Sequence, residues 1–397
     1  MPGGILVTGA DGYVGWPTAL AMALRYPNDQ IIGVDNLSRR RWVEEIGGAS
    51  AIPIFSSRER IDAAQNSGIR NLVMLDGDLT EPHFVRRLIR VHRPRAVVHL
   101  AAQPSAPYSQ ISLMEANYTQ FNNNQSTRNL LWGLKEEKLV EECRFLITTT
   151  TGVYGSPSFE IPEGFLNVQT PTGSGCIPFH QLGGSWYHIS RSADANNCWL
   201  ANRQWGLSIT DLRTAIVFGT HSPISIDDGR LTTRLDVDFY FGVVIHRFCA
   251  MAMVEFPLTV YGRGEQGKPL VSLKDCVDSL VEAVDVELDG KFQVLNQTMG
   301  PRRIMQIAEA VKEAGNALGL SVEIRRIPNP RVEDETHHMR IVNEKFCSLL
   351  KNRPLVDVRE GIVDLMQAMS PHRQRVVALK STFLSSDLRA DVAPLSS

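Results

Sequence analysis

The sequence predicts an α/β protein: a doubly wound parallel sheet with a smaller C-terminal substrate-binding domain. Short runs rich in valine, isoleucine and leucine recur through its first half. They lack the alternation of a half-exposed strand, so they read as strands buried on both faces. Amphipathic helical segments separate them, which is the order a parallel sheet needs, because each crossover must return to the same edge. A glycine-rich turn, GADGYVG at residues 9 to 15, follows the first run directly and opens a helix, as in a Rossmann dinucleotide site.

In chain order, GILVTG (4–9), QIIGVD (30–35), NLVML (71–75), AVVHLAA (96–102), RFLITT (144–149) and LSITDL (207–212) read as strands. The stretches between them, including Ser185 to Trp205, read as helices. Beyond residue 213 comes a polar, lid-like stretch, THSPISIDDGRLTTRLD (220–236), then a helix from about 238 to 254, PLTVYGRG, and two more helix and strand pairs. The expected division is a Rossmann domain over 1–212, mainly a smaller substrate-binding domain over 213–370, and a surface arm over 371–397 with a disordered end.

Composition narrows the partners. Forty-one basic residues against 43 acidic ones give a formal charge of −2 without a long single-sign run, so no nucleic-acid or anionic-membrane partner is expected. No stretch reaches the roughly 18 apolar residues of a membrane span, and the first residues lack the pattern of a signal peptide. The six cysteines are scattered, with no ligand-like spacing to histidine, so reduced thiols in a cytoplasmic protein and no metal site are expected. The pair at HHM (337–339) is expected on the surface. What remains is a small-molecule partner.

The turn 9–15 places Gly9, Asp11, Gly12, Tyr13, Val14 and Gly15 where backbone amides and a helix N-terminus can face a pyrophosphate. Asp35 ends the second strand, where a carboxylate can accept both ribose hydroxyls and would repel a 2′-phosphate, which favours NAD. Arg39, Arg40 and Arg41 keep NADP open, since an arginine just past this strand can meet that phosphate. Asp78 and Leu79 are expected at the adenine edge, and Leu100, Ala101, Ala102 and Gln103 along the cofactor.

TTTTGVYG (148–155) and YHISR (187–191) would converge beside such a cofactor. Tyr187 and Arg191 are four apart on a helix, hence on one face, where the cation can favour the phenolate of a tyrosine base. A threonine hydroxyl from the preceding turn would orient the reacting oxygen.

These motifs together resemble the extended short-chain dehydrogenase/reductases that act on sugar nucleotides. Within them the chain is most similar to the UDP-sulfoquinovose synthases, through DGYVGW, VDNLSRR, SAPYS, NYTQFNNN, YHIS, RLDVD, HRFC, PLTVYGRG and NPRVEDE. The resemblance implies tightly held NAD, a UDP-hexose oxidised at C4, loss of water across C5 and C6, addition of sulfite at C6 and reduction at C4. By position it implies Thr150 as the catalytic threonine, Tyr187 as the base, His188 beside it and Arg191 in the place of lysine. Asp35 and Asn36 match the cofactor pair, Gln103 and Ser105 fall in the Q-R-S-A-P-Y-S motif, and Lys268 stands for a basic residue near the phosphates. Arg234, Arg331 and Glu333 lie in segments implied to line the sugar-nucleotide pocket. A homodimer paired through long helices is implied as well.

The chain departs from the family at three places. Arg191 is permanently charged and cannot pass on a proton; Val153 stands where the family has an acid; Pro104 stands where it has an arginine that could hold an anion. Two alternatives therefore stay open: a C4 epimerase or dehydratase of another nucleotide sugar, and a non-catalytic NAD- and sugar-nucleotide-binding protein. His180 is expected as an exposed loop histidine, with acid/base work as its other reading.

Overall fold

The computed structural model describes residues 3–180, 182–221, 223, 228–329, 339–385 and 388. The first half alternates β1 (Ile5–Thr8), α1 (Gly15–Arg25), β2 (Ile31–Asp35), α2 (Ser38–Glu45), α3 (Ser57–Asn66), β3 (Leu72–Asp76), α4 (Pro82–His92), β4 (Ala96–His99), α5 (Leu113–Glu136) and β5 (Arg144–Thr150). An antiparallel hairpin, β6 (Phe165–Thr170) and β7 (Gly173–Pro178), separates β5 from α6 (Trp186–Trp205), which leads to β8 (Ile209–Thr214). Helix α6 starts where Ser185 accepts the His188 N–H and stops at Gly206 in the left-handed region (φ 73°), where glycine adds no strain.

The second half runs β9 (Ile216–Phe218), α7 (Val244–Met253), β10 (Leu258–Tyr261), β11 (Gly267–Ser272), α8 (Leu273–Val284), β12 (Phe292–Gln297), β13 (Pro301–Arg303), α9 (Ile304–Ala317) and β14 (Ile324–Ile327). Helices α10 (Glu344–Leu349), α11 (Val358–Met369) and α12 (Arg373–Ala378) follow.

Seven strands make one parallel sheet in the order β12, β8, β5, β4, β1, β2, β3. Ile5 and Val7 of β1 enter the core shared with α1 and α8, whereas Leu6 enters the opposite core with α4, α5 and α6. Both faces are covered, which is why these strands read as unbroken apolar runs. The chain leaves β1 toward β2 on one side and β4 on the other. The carboxyl ends of β1 and β4 therefore flank the topological switch point, where ligand crevices form in such sheets. The edge strand β12 comes from well past residue 213.

A second core gathers α7, α9, α11, β10 and the residues after Met369. Residues 373–385, expected as a surface arm, are packed into it: Val376, Leu379, Phe383 and Leu384 are buried. Each such side chain stabilises the docked segment by roughly 1.5–3 kcal/mol, far more than an arm would gain in water. The end beyond residue 388 lies outside the described residues.

Two other expectations are corrected. The helix expected from about 238 begins at Val244, because the Asp238 carboxylate accepts the N–H groups of Tyr240 and Phe241 (2.9 and 2.7 Å) and holds a turn there. The lid-like stretch does not cover the crevice where it is described. Residues 228–236 lie behind the glycine-rich turn, with Trp16 Nε1 donating to the Leu231 carbonyl (2.9 Å) and Thr233 Oγ1 to that of Tyr13 (2.8 Å). Residues 222 and 224–227 of that stretch lie outside the described residues. Among the described residues no helix is long and apolar enough to cross a membrane.

Candidate active site

A cleft of about 1760 Å³ runs along the carboxyl edge of the sheet, between it and the second core. Its first half is the turn between β1 and α1. A Cβ on Gly9 (φ +71°) would sit 2.8 Å from the Ala101 backbone, and one on Gly15 would sit 1.9 Å from the Gly9 carbonyl oxygen. Only glycine lets the turn pass this close to β4 and to itself. The N-cap of α1 is Val14, with no capping side chain and no acid in the first turn, so its amide end is left for an anion.

Asp35 lines the cleft at the end of β2, its oxygens accepting the N–H groups of Asp11 (2.9 Å) and Leu37 (2.7 Å). Burial, with the Asp11 carboxylate nearby, pushes its pKa up to about 6. The three arginines are held by the protein: Arg39 on Asp236 (2.7 Å), Arg40 on Asp11 (2.7 Å), Arg41 on the Asn36 carbonyl and Ser38. The glycine cradle, the uncapped helix end and the carboxylate fit NAD. NAD affinity is therefore expected to fall as pH drops through about 6 and protonates Asp35, by up to about tenfold per unit. Titration calorimetry across this range checks it. An unchanged affinity, or the same slope in Asp35→Asn, would contradict it.

Gly12, Tyr13, Asn36, Asp78, Leu79, Leu100 and Ala101 also line this half. Asp78 holds Asn36 Nδ2 at 3.2 Å and Thr80 at 2.8 Å, which stiffens the loop ends after β2 and β3. Two expected cofactor contacts do not face the cleft. Asp11 is buried against Arg40 and Arg60 and contributes only its backbone N–H to Asp35. Gln103 is fully buried, bonding Thr119 Oγ1 (2.8 Å) and the Ser105 N–H (2.5 Å). It shapes the loop that brings Pro104 and Ser105 to the cleft wall. Arg39 does line the cleft; its Nε and Nη2 are on Asp236, its face lies 4.0 Å over the Phe241 ring, and its buried Nη1 has no partner.

The chemistry-bearing half lies at the end of β5. Thr150 caps the short 3₁₀ turn 151–154, its Oγ1 accepting the Gly152 N–H at 3.1 Å. Tyr187 meets it from the first turn of α6, anchored by its own N–H on Ser109 Oγ (3.1 Å). Burial drives the Tyr187 pKa up, opposed by Arg191 and by a hydrogen bond with Thr150. His188 lies beside Tyr187, ring centroids 5.3 Å apart, with Nδ1 3.0 Å from Ser185 Oγ. Burial and the charge of Lys268, across the cleft on β11, push its pKa down to about 4, so it is a neutral imidazole near pH 7.

Gly152 is a site residue that motif reading missed. A Cβ there would lie 2.3 Å from His188 Nε2, so glycine alone leaves room for the ring. Val153 is fully buried with Tyr154, Ile161, Phe179 and Met339, where an apolar residue packs well. His180, expected as exposed, is buried beside Arg213, with Nδ1 3.3 Å from Nη2, and burial lowers its pKa. It does not line the cleft.

The second core supplies the far wall. Lys268 lines it, together with Phe241, Arg247 and Gln266, which the sequence reading had not singled out individually. Arg234 does not reach the cleft: it is buried, with Nε and Nη2 on Asp236 (2.9 and 3.0 Å). Arg331, Glu333, His337 and His338 lie outside the described residues. No cluster of metal-ligating side chains occurs among the described residues.

Residues 5–296 match the NAD dependent epimerase/dehydratase family. The chain is 36% identical to a UDP-sulfoquinovose synthase of Sulfolobus acidocaldarius over 96% of both chains. It is 35% identical to the chloroplastic UDP-sulfoquinovose synthase of Spinacia oleracea, over 87% of this chain and 71% of that one. Among solved structures it resembles a UDP-glucose 4-epimerase of Thermotoga maritima, with a TM-score of 0.67 and 21% identity over 93% of this chain and 99% of that one. That likeness speaks to the fold.

Proposed function

We propose, from the premise that this chain belongs to the NAD dependent epimerase/dehydratase family, that it modifies a UDP-linked hexose by transient oxidation at C4, as a UDP-sulfoquinovose synthase would. The similarity to the Sulfolobus enzyme over 96% of both chains carries this reading. When bound, NAD would supply the acceptor and later the donor of the hydride at C4.

The rest is the work of the chain's own residues. Tyr187 would take the C4 hydroxyl proton as that carbon is oxidised, with Thr150 orienting the oxygen and Arg191 favouring the phenolate. A ketone at C4 acidifies C5–H, so water can leave across C5 and C6. The neutral His188 would carry that proton. Sulfite would then add through sulfur to C6, a proton return to C5, and the ketone be reduced. Lys268 would hold the diphosphate. A C4 epimerase is the second reading, favoured by Pro104 on the cleft wall, where a cation for an anionic nucleophile would have stood.

Incubation with UDP-glucose, with and without sulfite, followed by mass spectrometry and sugar analysis separates these readings. A sulfonated nucleotide sugar supports the first and UDP-galactose the second. Bound nucleotide sugar left unchanged under both conditions would contradict both.

The oligomer proposed is a homodimer. Met114, Phe121 and Trp132 of α5 recur at spacings of 7 and 11, and Trp186, Ile189 and Leu200 of α6 at 3 and 11, so each set forms one stripe. All six are exposed, Met114 at 78% and Phe121 at 58%. Two copies of this helix pair would bury the stripes in a four-helix bundle. Light scattering is expected to show a dimer in the parent and a monomer in Phe121→Asp/Ile189→Asp. A monomeric parent would contradict it.

A further inference from the structure

Arg191 lies one turn beyond Tyr187 on α6 and is 1% exposed. Its Nη1 donates to Asp194 Oδ2 at 2.6 Å and its Nη2 to the Thr148 carbonyl near the end of β5. Only its Nε lacks a partner. Asp194 is fully buried in turn. Its Oδ1 accepts from Asn124 Nδ2 at 3.0 Å. Asn124 donates to the Ser190 carbonyl as well (2.7 Å), and Asn123 to Ser190 Oγ (2.9 Å). The asparagine run of α5 thus grips α6 at the turn that carries Tyr187 and Arg191.

A buried guanidinium needs a carboxylate, since removing one partner of such a pair strands a charge in a medium that solvates it poorly. Here the carboxylate also has an electrostatic effect. Taking Arg191 and Asp194 together, Tyr187 faces an ion pair of zero net charge instead of a lone cation. We infer that Asp194 is a positioning residue that fixes Arg191 beside Tyr187 and offsets its charge, so that Tyr187 gives up its proton at a higher pH than it would beside the arginine alone.

The surroundings leave this pair dominant. On β8, Asp211 is matched by Arg213 (3.1 Å). On β4, burial and Arg191 push the pKa of His99 down to about 3, so it stays neutral. His188 is neutral too, its pKa held down by burial and by the charge of Lys268. Arg191 opposes the rise in the Tyr187 pKa, and Asp194 adds to it. Removing the carboxylate charge must therefore lower that pKa and move ionisation of the phenol to lower pH.

The inference rests on Tyr187 as the base, and the test separates the two. Tyrosinate absorbance of the apo-protein is titrated for parent and Asp194→Asn, each against its Tyr187→Phe partner, so the signal belongs to Tyr187 alone and needs no turnover. The Tyr187 transition is expected about one pH unit lower in Asp194→Asn. The rising limb of kcat against pH should move with it, and Asp194→Glu should restore the parent profile. Replacing the pair by a neutral one, Arg191→Gln/Asp194→Asn, is expected to leave the transition near the parent value. It also keeps the test open if the single variant does not fold. An unmoved transition in Asp194→Asn, or a clear upward shift in the double variant, overturns the inference. Full turnover in Tyr187→Phe alone would instead overturn the assignment of the base.

Discussion

Tyr187→Phe is expected to lower kcat by about 10²–10⁴-fold, the usual contribution of a positioned acid or base. NAD and UDP-sugar affinity should stay near those of the parent. The substitution removes one oxygen and keeps the ring, its N–H bond to Ser109 and its contact with His188. Thr150 favours the ionised phenol, and loss of one such polar contact should cost about 1 kcal/mol of stability. Steady-state kinetics with a thermal melt check both parts. A binding protein would show no catalytic change, because it has no proton to move at C4; turnover close to the parent value would therefore reject the proposed chemistry.

Gly152→Ala is expected to be nearly as damaging although it touches no reacting atom. The new methyl would overlap His188 Nε2, and the ring has little room to yield, since Nδ1 is tied to Ser185 and its backbone N–H caps α6 on the same hydroxyl. Either His188 or the 3₁₀ turn bearing Thr150 must shift, and a displacement near 1 Å in such a site costs on the order of 10²-fold in rate. The variant should melt close to the parent temperature, with the loss in kcat exceeding any change in NAD affinity. Unchanged kcat would mean that neither His188 nor the Thr150 turn needs its present placement.

Much of this site was legible because its signals are local. The glycine turn follows a strand and opens a helix within seven residues, and Tyr187 and Arg191 share a helix face by spacing alone. The buried strands were legible for the same reason, each apolar on both faces. By contrast β12, with the sequence FQVLNQ, carries polar residues that find buried partners, as when Gln297 Nε2 meets Ser279 Oγ at 2.6 Å. Nothing local marks such a run as a sheet strand.

The misplaced residues are mostly charged or polar ones whose partners are distant in sequence. Arg234 resembled a ligand contact, yet it is buried on Asp236, which Arg39 also reaches from 197 residues away. Asp11 sits in the glycine turn but is held by Arg60 from α3. His180 reads as a loop residue until Arg213 and the small core around Phe179 enclose it.

By itself the sequence determined six of the seven strands of the parallel sheet and their alternation with helices, the glycine cradle, and the placing of Tyr187 and Arg191 on one helical face. Those follow from backbone sterics and helical period, which act over a few residues. Tertiary structure decided which distant carboxylates Arg39 and Arg60 meet, which imidazole stays neutral, and that Arg191 and Asp194, three apart on one helix, are buried together with the aspartate held by α5. Burial removes the water that would otherwise screen each charge, so its partner and its pKa depend on what the fold brings within a few ångströms.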